Sequence, residues 1–460
     1  MKKIIALFLT VLTSYSMCGQ GITGQWNGVL KIQGIQLRVV FHINKTDTGY
    51  ASTMDSPDQG AKGLPVSTTS FENSKLKLES KNSGFEYNGE LKDTIIIGTF
   101  RQNGMSLPLN LSKTTIETNQ TTFPKRPQEP VKPYPYYSED VIFKNNNANV
   151  TLAGTLTLPQ KEGNYPVVIL ITGSGPQNRD EEILGHKPFL VISDYLTRNG
   201  IAVLRYDDRG TAKSTGDFKT ATTFDFASDV ESAISYLKTR KEINAKKIGL
   251  IGHSEGGIIA PMIAAKSKDV AFIVLLAGPG ISGDKLMLLQ KEKIEQAMHV
   301  DAKEITKSQD IFKGAYQIIL YSDTSNLILN NKISTYFKKS FGSGVPEEQI
   351  SAITNQIVNP WMITFLKYNP EPTLEKVECP VLAIAGEKDL QVPPQENLMA
   401  IKTALEKGGN KNVTIKLLPN LNHLFQDCKT GLPIEYSEIE ETFSPKALDE
   451  ITKWIKQQVN

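Results

Sequence analysis

Two hydrophobic rhythms divide the chain. Over residues 20–113 apolar positions come in short alternating runs, among them Leu30-Lys31-Ile32, Leu37-Arg38-Val39-Val40-Phe41, Lys75-Leu76-Lys77-Leu78 and Thr94-Ile95-Ile96-Ile97-Gly98. Gly, Asn, Asp and Ser punctuate them. A period of two puts successive side chains on opposite faces, so this region is expected to form an antiparallel all-β domain, a small barrel or a sandwich. From residue 138 the pattern changes. Val167-Val168-Ile169-Leu170-Ile171, Ile201-Ala202-Val203-Leu204, Ile248-Gly249-Leu250-Ile251, Phe272-Ile273-Val274-Leu275-Leu276 and Val381-Leu382-Ala383-Ile384-Ala385 are short and apolar throughout, with a weaker run at Val413-Thr414-Ile415-Lys416-Leu417. Strands buried on both faces read this way. Helical periodicity lies between them, as at Phe224, Ala227, Val230, Ala233, Ile234 and Leu237, and again over residues 447–455. Strand alternating with helix predicts a doubly wound, mostly parallel sheet over residues 138–460. Residues 283–375 break the rhythm with helical patterns alone and are expected to form a helical cap over one edge of that sheet. Between the two regions, residues 114–137 carry Pro124, Pro127, Pro130, Pro133 and Pro135 among polar residues, a composition expected to run extended as a linker.

Composition narrows the functional classes. The chain has 460 residues, 39% hydrophobic and 22% charged, which is ordinary for a globular protein. Its 51 Lys and Arg nearly cancel 49 Asp and Glu, leaving a net charge of +2, so charge gives no reason to propose nucleic acid or a membrane surface as partner. At the N-terminus, Lys2 and Lys3 precede an apolar stretch at 4–12 and a run of mostly small or polar residues ending near Cys18 to Gln20. That is the layout of a signal peptide over residues 1–19, and the protein is expected to be exported, periplasmic or secreted. Cys18 is an alternative lipidation site, although Tyr15-Ser16-Met17 is a poor approach to one. The apolar stretch is short for a bilayer, and no later run is long enough, so no stable membrane insertion is expected. No Cys/His cluster has the spacing of a zinc site.

One constellation carries chemistry. Gly252-His253-Ser254-Glu255-Gly256 follows a strand and precedes a helical stretch. A sharp strand-to-helix turn thrusts the serine oxygen out at the carboxyl edge of a sheet, and glycine two positions to either side lets strand and helix approach. Ser254 is the candidate nucleophile. A serine hydroxyl needs a base. Of the five histidines, His42 lies in the β region and His299 in the cap, and His253 is expected to point away from its neighbour Ser254. His423, just after the last strand, is the candidate base, since a loop there can bring an imidazole onto the serine. An imidazole in turn needs a carboxylate to fix its tautomer. Asp389, in Gly386-Glu387-Lys388-Asp389, follows the strand ending at Ala385; Glu387 is the rival, but the Gly386-x-x-Asp389 spacing gives the loop room to turn toward the histidine. The order Ser, Asp, His suits this layout. Two main-chain N–H groups should receive the developing oxyanion: that of Glu255, following the nucleophile, and that of Ser174, in the Gly-rich loop Thr172-Gly173-Ser174-Gly175-Pro176. The charged strings Gln177-Asn178-Arg179-Asp180 and Tyr206-Asp207-Asp208-Arg209-Gly210 at the same edge are read as ion pairs that staple loops.

Together, Thr172 to Pro176, Tyr206 to Gly210, Gly252 to Gly256 and Gly386 to Asp389 resemble bacterial α/β-hydrolase-fold serine carboxylesterases, and the layout is similar to two-domain esterases of the esterase D kind. The resemblance covers roughly residues 138–460; at the N-terminus only Gly24-Gln25-Trp26-Asn27-Gly28 resembles the opening strand of lipocalin-like domains. It implies an α/β-hydrolase fold with a helical cap, hydrolysis of a small-molecule carboxylic ester through an acyl-enzyme, and no metal or organic cofactor. Relatives act on amides and peptides, so a serine peptidase or amidase, or an acyltransferase, is an alternative on the same triad. A non-catalytic binding protein is a third reading. The fold also bears on the thiols: Cys379 opens a strand at the amino edge and Cys428 follows His423 at the carboxyl edge. A five-residue strand spans about 17 Å, too far for a disulfide, so free thiols are expected. Acyl preference and oligomeric state are not legible in the chain.

Overall fold

In the computed structural model, residues 21–32, 35–57, 61–80, 84–102, 105–114, 126–342, 345 and 347–459 are described. The signal peptide expected at 1–19, with Cys18, and residues 115–125 of the expected linker lie outside them. The chain divides into two compact units, one within residues 1–120 and one within 121–460.

The first unit holds β1 (Gly24–Ile32), β2 (Ile35–Thr46), β3 (Gly49–Ser56), β4 (Ala61–Val66), β5 (Thr68–Glu72), β6 (Lys75–Ser80), β7 (Phe85–Lys92), β8 (Ile95–Gln102), β9 (Met105–Pro108) and β10 (Leu111–Ser112). They form one antiparallel sheet in the order β4-β3-β2-β1-β10-β8-β7-β6-β5, with β9 beside β8. The period of two is literal in β6, where Leu76 and Leu78 are buried and Lys75 and Lys77 exposed. Trp26, Phe41, Tyr87 and Phe100 share that core. The two ends of the sheet approach each other: Thr69 Oγ1 donates to Ser52 Oγ at 2.9 Å and Ser80 Oγ to the Pro65 carbonyl at 2.7 Å. A single sheet curls back on itself, rather than two sheets facing in a sandwich.

The second unit contains β11 (Tyr137–Asn145), β12 (Val150–Leu158), β13 (Tyr165–Ile171), α1 (Pro188–Arg198), β14 (Ala202–Tyr206), α2 (Thr223–Leu237), β15 (Ile243–His253), α3 (Gly256–Ala264) and β16 (Phe272–Leu276). Helices α4 (Gly283–Ala297), α5 (Ala302–Leu320), α6 (Asn326–Phe341), α7 (Glu347–Ile357), α8 (Pro360–Lys367) and α9 (Glu371–Leu374) follow. The sheet then resumes with β17 (Val381–Gly386), α10 (Pro394–Lys407), β18 (Val413–Leu418) and α11 (Pro445–Val459). Strand order is β11-β12-β14-β13-β15-β16-β17-β18. From β14 to β18 neighbours run parallel, whereas β11, β12 and β14 pair antiparallel. Apolar residues of α2, α3 and α10 cover one face of the sheet and those of α1 and α11 the other. The helices at 283–374 bury a cluster of their own, with Ile311, Ile333, Phe337 and Leu366 at its centre.

The β11–β12 hairpin has no apolar run to announce it. Thr155 and Thr157 alternate with apolar residues in β12 but are buried as well, and Thr157 Oγ1 meets Ser193 and Thr197 of α1. The prolines keep residues 126–136 out of helix and sheet, and from Arg126 the stretch is hydrogen-bonded to loops of the second unit. The Arg126 guanidinium donates to the carbonyls of Ile439, Leu184 and Ser437. Gln128 Oε1 accepts the Thr442 and Phe443 N–H groups, and Glu129 pairs with Lys187.

Candidate active site

The loops at the carboxyl ends of β13 to β18 converge. At the end of β15 the chain turns directly into α3, and Ser254 sits at the turn with φ = 52°, a left-handed conformation unfavourable for any residue but glycine. Its N–H donates to the Leu276 carbonyl at 2.9 Å and its C=O accepts the Gly257 N–H at 2.8 Å. The two glycines are required by contact: a Cβ on Gly252 would lie 1.9 Å from the Gly256 oxygen, and one on Gly256 2.3 Å from the Ile171 oxygen. Ser254 itself is only half-buried. Such strain, held by its surroundings, marks a place where a side chain must be aimed.

Asp389 and His423 are brought together. Asp389 Oδ2 lies 2.8 Å from His423 Nδ1, both side chains being buried. Asp389 Oδ1 accepts the N–H groups of Gln391 (2.8 Å) and Val392 (2.9 Å), so the carboxylate is fixed on both oxygens. With Nδ1–H engaged by the carboxylate, the Nε2 lone pair of the neutral ring is left to act as acceptor. The rival Glu387 accepts the Asn420 N–H at 3.1 Å and so shapes the histidine loop instead. That loop is a compact knot: Asn422 Oδ1 takes the N–H of both Leu424 and Gln426, and Asn420 and Phe425 have positive φ. The His423 ring is 4.8 Å, centroid to centroid, from that of His253, which immediately precedes Ser254.

The Gly-rich loop after β13 passes against the same turn; a Cβ on Gly173 would stand 3.3 Å from Ser254 Cβ. Gly173 N–H is taken by Glu181 Oε1 at 2.7 Å, whereas the N–H groups of Ser174 and Glu255 donate to no group among the described residues. Asp208 holds this loop: its Oδ1 accepts from Thr172 Oγ1 at 2.7 Å and its Oδ2 from Gln177 N–H at 3.0 Å. Burial drives the Asp208 pKa well above the usual carboxylate range. The neighbouring charges pair as expected of staples. Arg179 grips Asp207 through Nε (3.0 Å) and Nη2 (2.8 Å), Arg209 grips Asp229 at 2.7 and 2.8 Å, and Arg205 pairs with Asp180.

Three features had no signal in the sequence. His253 is buried with one ring nitrogen on Glu181 and the other on the His423 carbonyl, both at 3.0 Å. The Glu255 carboxyl is fully buried and accepts from Thr223 Oγ1 (2.6 Å) and, out of the helical insertion, from Trp361 Nε1 (2.8 Å); burial raises its pKa. His186, left without a role, is buried against Tyr436, Thr442 and Gln426, and burial lowers its pKa to about 4. Of the other histidines, His42 pairs with Asp55 in the first unit. Cys379 and Cys428 are both free thiols. Among the described residues, no group of three or more His, Cys, Asp or Glu side chains is placed to hold a metal ion, and no helix is long and apolar enough to cross a membrane.

Known proteins resemble the chain in part. Residues 189–333 match the serine aminopeptidase S33 family. Esterase EstD of Thermotoga maritima is 26% identical over 323 residues, 70% of this chain and 69% of that protein. An uncharacterized 31.7 kDa protein of the traX-finO intergenic region of Escherichia coli is 24% identical over 249 residues, 53% of this chain and 80% of that one. Among solved structures, a Penicillium α/β hydrolase, GrgF, is 18% identical with a TM-score of 0.44, covering 70% of this chain and 99% of its own. A Pyrococcus furiosus esterase is likewise 18% identical with a TM-score of 0.42, covering 70% and 93%. The chain is a hydrolase with the α/β-hydrolase fold, and over 70% of its length it is similar to esterase EstD.

Proposed function

We propose that this enzyme cleaves small-molecule carboxylic esters through an acyl-enzyme on Ser254, with His423 as base and Asp389 orienting it. The observation that carries the reading is the buried 2.8 Å contact between His423 Nδ1 and Asp389 Oδ2 beside a serine held at φ = 52°. Ser254 Oγ gives its proton to His423 Nε2 as it attacks the acyl carbon. The oxyanion is received by the N–H groups of Glu255 and Ser174, each donor contributing about 3 kcal/mol to the barrier reduction. His423 then passes the proton to the leaving alcohol, and a water activated by the same ring releases the acid. No step needs a metal or an organic cofactor. Ser254→Ala should abolish turnover of p-nitrophenyl acetate and labelling by a fluorophosphonate; full turnover by that variant would end the reading.

A serine amidase or peptidase on the same residues is the second reading, favoured by the aminopeptidase description of the matching family. A site for a free amino group calls for a carboxylate, yet in the helical insertion Glu347 and Glu371 are exposed and paired with Lys338 and Lys407. Faster cleavage of aminoacyl-naphthylamides than of simple esters would favour it. Export follows from the Lys2-Lys3 start and the apolar stretch at 4–12. The mass of the mature N-terminus separates cleavage near residue 19 from a lipid on Cys18, and an uncleaved N-terminus would reject both.

A further inference from the structure

The ring of His253 is bonded in a way that a neutral imidazole cannot satisfy beside an ionised Glu181 carboxylate. Nδ1 faces Glu181 Oε1 at 3.0 Å and Nε2 faces the His423 main-chain oxygen at 3.0 Å. A neutral ring carries one N–H, while a carbonyl oxygen only accepts. Glu181 Oε1 already accepts the Gly173 N–H at 2.7 Å. With Glu181 ionised, two acceptors flank the ring, and filling both contacts takes two protons. Resting on the triad reading above, we propose that His253 is a doubly protonated positioning residue which, with Glu181, clamps the loop offering the Ser174 oxyanion donor to the loop carrying His423.

The connections are short. From Gly173, next to the Ser174 donor, a hydrogen bond runs to Glu181, a second to His253 and a third to the carbonyl of His423 itself. Glu181 has φ = 50°, a strained backbone in the place that aims its carboxyl at the ring. The titratable groups around the ring are Glu181 from the loop before α1, and His423 and Asp389 from the loops after β18 and β17; Asp208, after β14, interacts in turn with Glu181. Burial alone would strip a proton from His253; the Glu181 charge, the His423 carbonyl and the Asp389 charge together overcome it and hold the pKa above the ordinary histidine range. An ion pair this dry is retained only where both members are fully hydrogen-bonded. Here the bonds it makes are those that set the spacing between base and oxyanion donors, where a displacement of about 1 Å costs about 100-fold in rate.

The direct test is the ring itself. In nitrogen NMR of the wild-type protein labelled in histidine, one imidazole should keep both N–H protons past the pH at which an ordinary histidine loses one, and that signal should be missing from His253→Gln. A singly protonated His253 at neutral pH would overturn the proposal. The functional test is Glu181→Gln, which keeps an acceptor for Gly173 and removes the charge. Compared with the wild type at each pH, its kcat should be about 100-fold lower at alkaline pH, with the ratio closing toward acid as His253 regains its second proton and KM little changed. A loss equal at every pH, or an unchanged alkaline limb, would show a merely structural contact. If wild-type enzyme hydrolysed neither esters nor amides, the triad reading would fail while the NMR result would still decide the state of His253, and it decides equally if Glu181→Gln does not fold.

Discussion

Trp361 Nε1, on α8 of the helical insertion, donates to Glu255 Oε1 at 2.8 Å. Glu255 follows the nucleophile in the chain, so the insertion is hydrogen-bonded to the side chain of the very residue whose main-chain N–H is proposed to receive the oxyanion. Thr223 of α2 holds the same oxygen from another direction. Trp361→Phe keeps the ring stacked on Phe365 and deletes only the donor. The expected cost is about 1–2 kcal/mol, read as a lower melting temperature. It should be larger at high pH, where the carboxyl is ionised and needs the donor most, and kcat/KM should fall with it. An unchanged melting temperature across pH would show that the contact holds nothing.

Glu255 also gives stability a pH dependence of defined sign. Burial raises its pKa in the folded protein above the unfolded value. Between those two values the folded state binds more protons than the unfolded state, so stability is greatest below the ordinary carboxylate pKa and falls as pH rises. Asp208, shifted in the same direction, adds to the slope. Glu255→Gln keeps an acceptor for Thr223 and Trp361 and removes the charge. It should therefore be more stable than the wild type at neutral pH, with the difference closing near pH 4. Urea unfolding at several pH values measures this; a difference that widened toward acid would contradict it.

Asp389→Asn isolates the orienting role. Asn Oδ1 can still take the Gln391 and Val392 N–H groups, but an amide nitrogen would replace the oxygen facing His423 Nδ1. The ring would have to accept there and carry its proton on Nε2, the tautomer unable to act as base. The expected loss in kcat is on the order of 10⁴-fold with the fold intact. Glu387→Gln, which touches only the Asn420 N–H, should lose far less. Comparable losses in both would return the choice of carboxylate to an open question.

The residues that were legible are those whose chemistry repeats with position. Ser254, Asp389 and His423 each follow an apolar run at the same edge of the sheet, and their order along the chain suffices to nominate them. β18 was faint because it is an edge strand, with Lys416 and Leu417 exposed. The hairpin β11–β12 is hard to read because the buried Thr155 and Thr157 look polar until their partners, Asp140 and Arg179 for one and Ser193 and Thr197 of α1 for the other, are known. The contacts of Glu181, Asp208, His253 and Trp361 cannot be read from the chain, since each is defined by a partner 31 to 170 positions away or by several such partners at once. Arg126 looked like one more polar residue in a proline tract for the same reason.

Gly252→Ala tests the turn around Ser254 by contact alone. The added methyl would sit 1.9 Å from the Gly256 carbonyl oxygen, a main-chain atom that no side-chain rotation can move. Relief requires strand β15 and helix α3 to separate, which distorts the nucleophile and opens packing between β15 and the rest of the core. Destabilisation of about 3 kcal/mol and loss of fluorophosphonate labelling should appear together. Wild-type labelling in a variant of undiminished melting temperature would mean that strand and helix need not approach so closely.

Arg126→Ala tests the tether of the proline-rich stretch. The guanidinium is buried and reaches three carbonyl oxygens, on Leu184, Ser437 and Ile439, which belong to segments far apart in the chain. Alanine leaves those oxygens without a donor and loosens the stretch, with Gln128, Glu129 and Tyr136 beside Arg198 still holding it. Each hydrogen bond from a charged donor to a buried acceptor contributes about 1.5–3 kcal/mol, partly recovered as water enters. A net loss near 3 kcal/mol is expected in urea unfolding of the hydrolase unit, together with faster proteolysis at residues 126–136. Lys at this position keeps the charge but, as a single ammonium on a flexible stem, cannot match the planar fork at all three oxygens, so Arg126→Lys should recover only part of the loss. Full recovery by Lys would indicate that charge, not the fork geometry, is what the site requires.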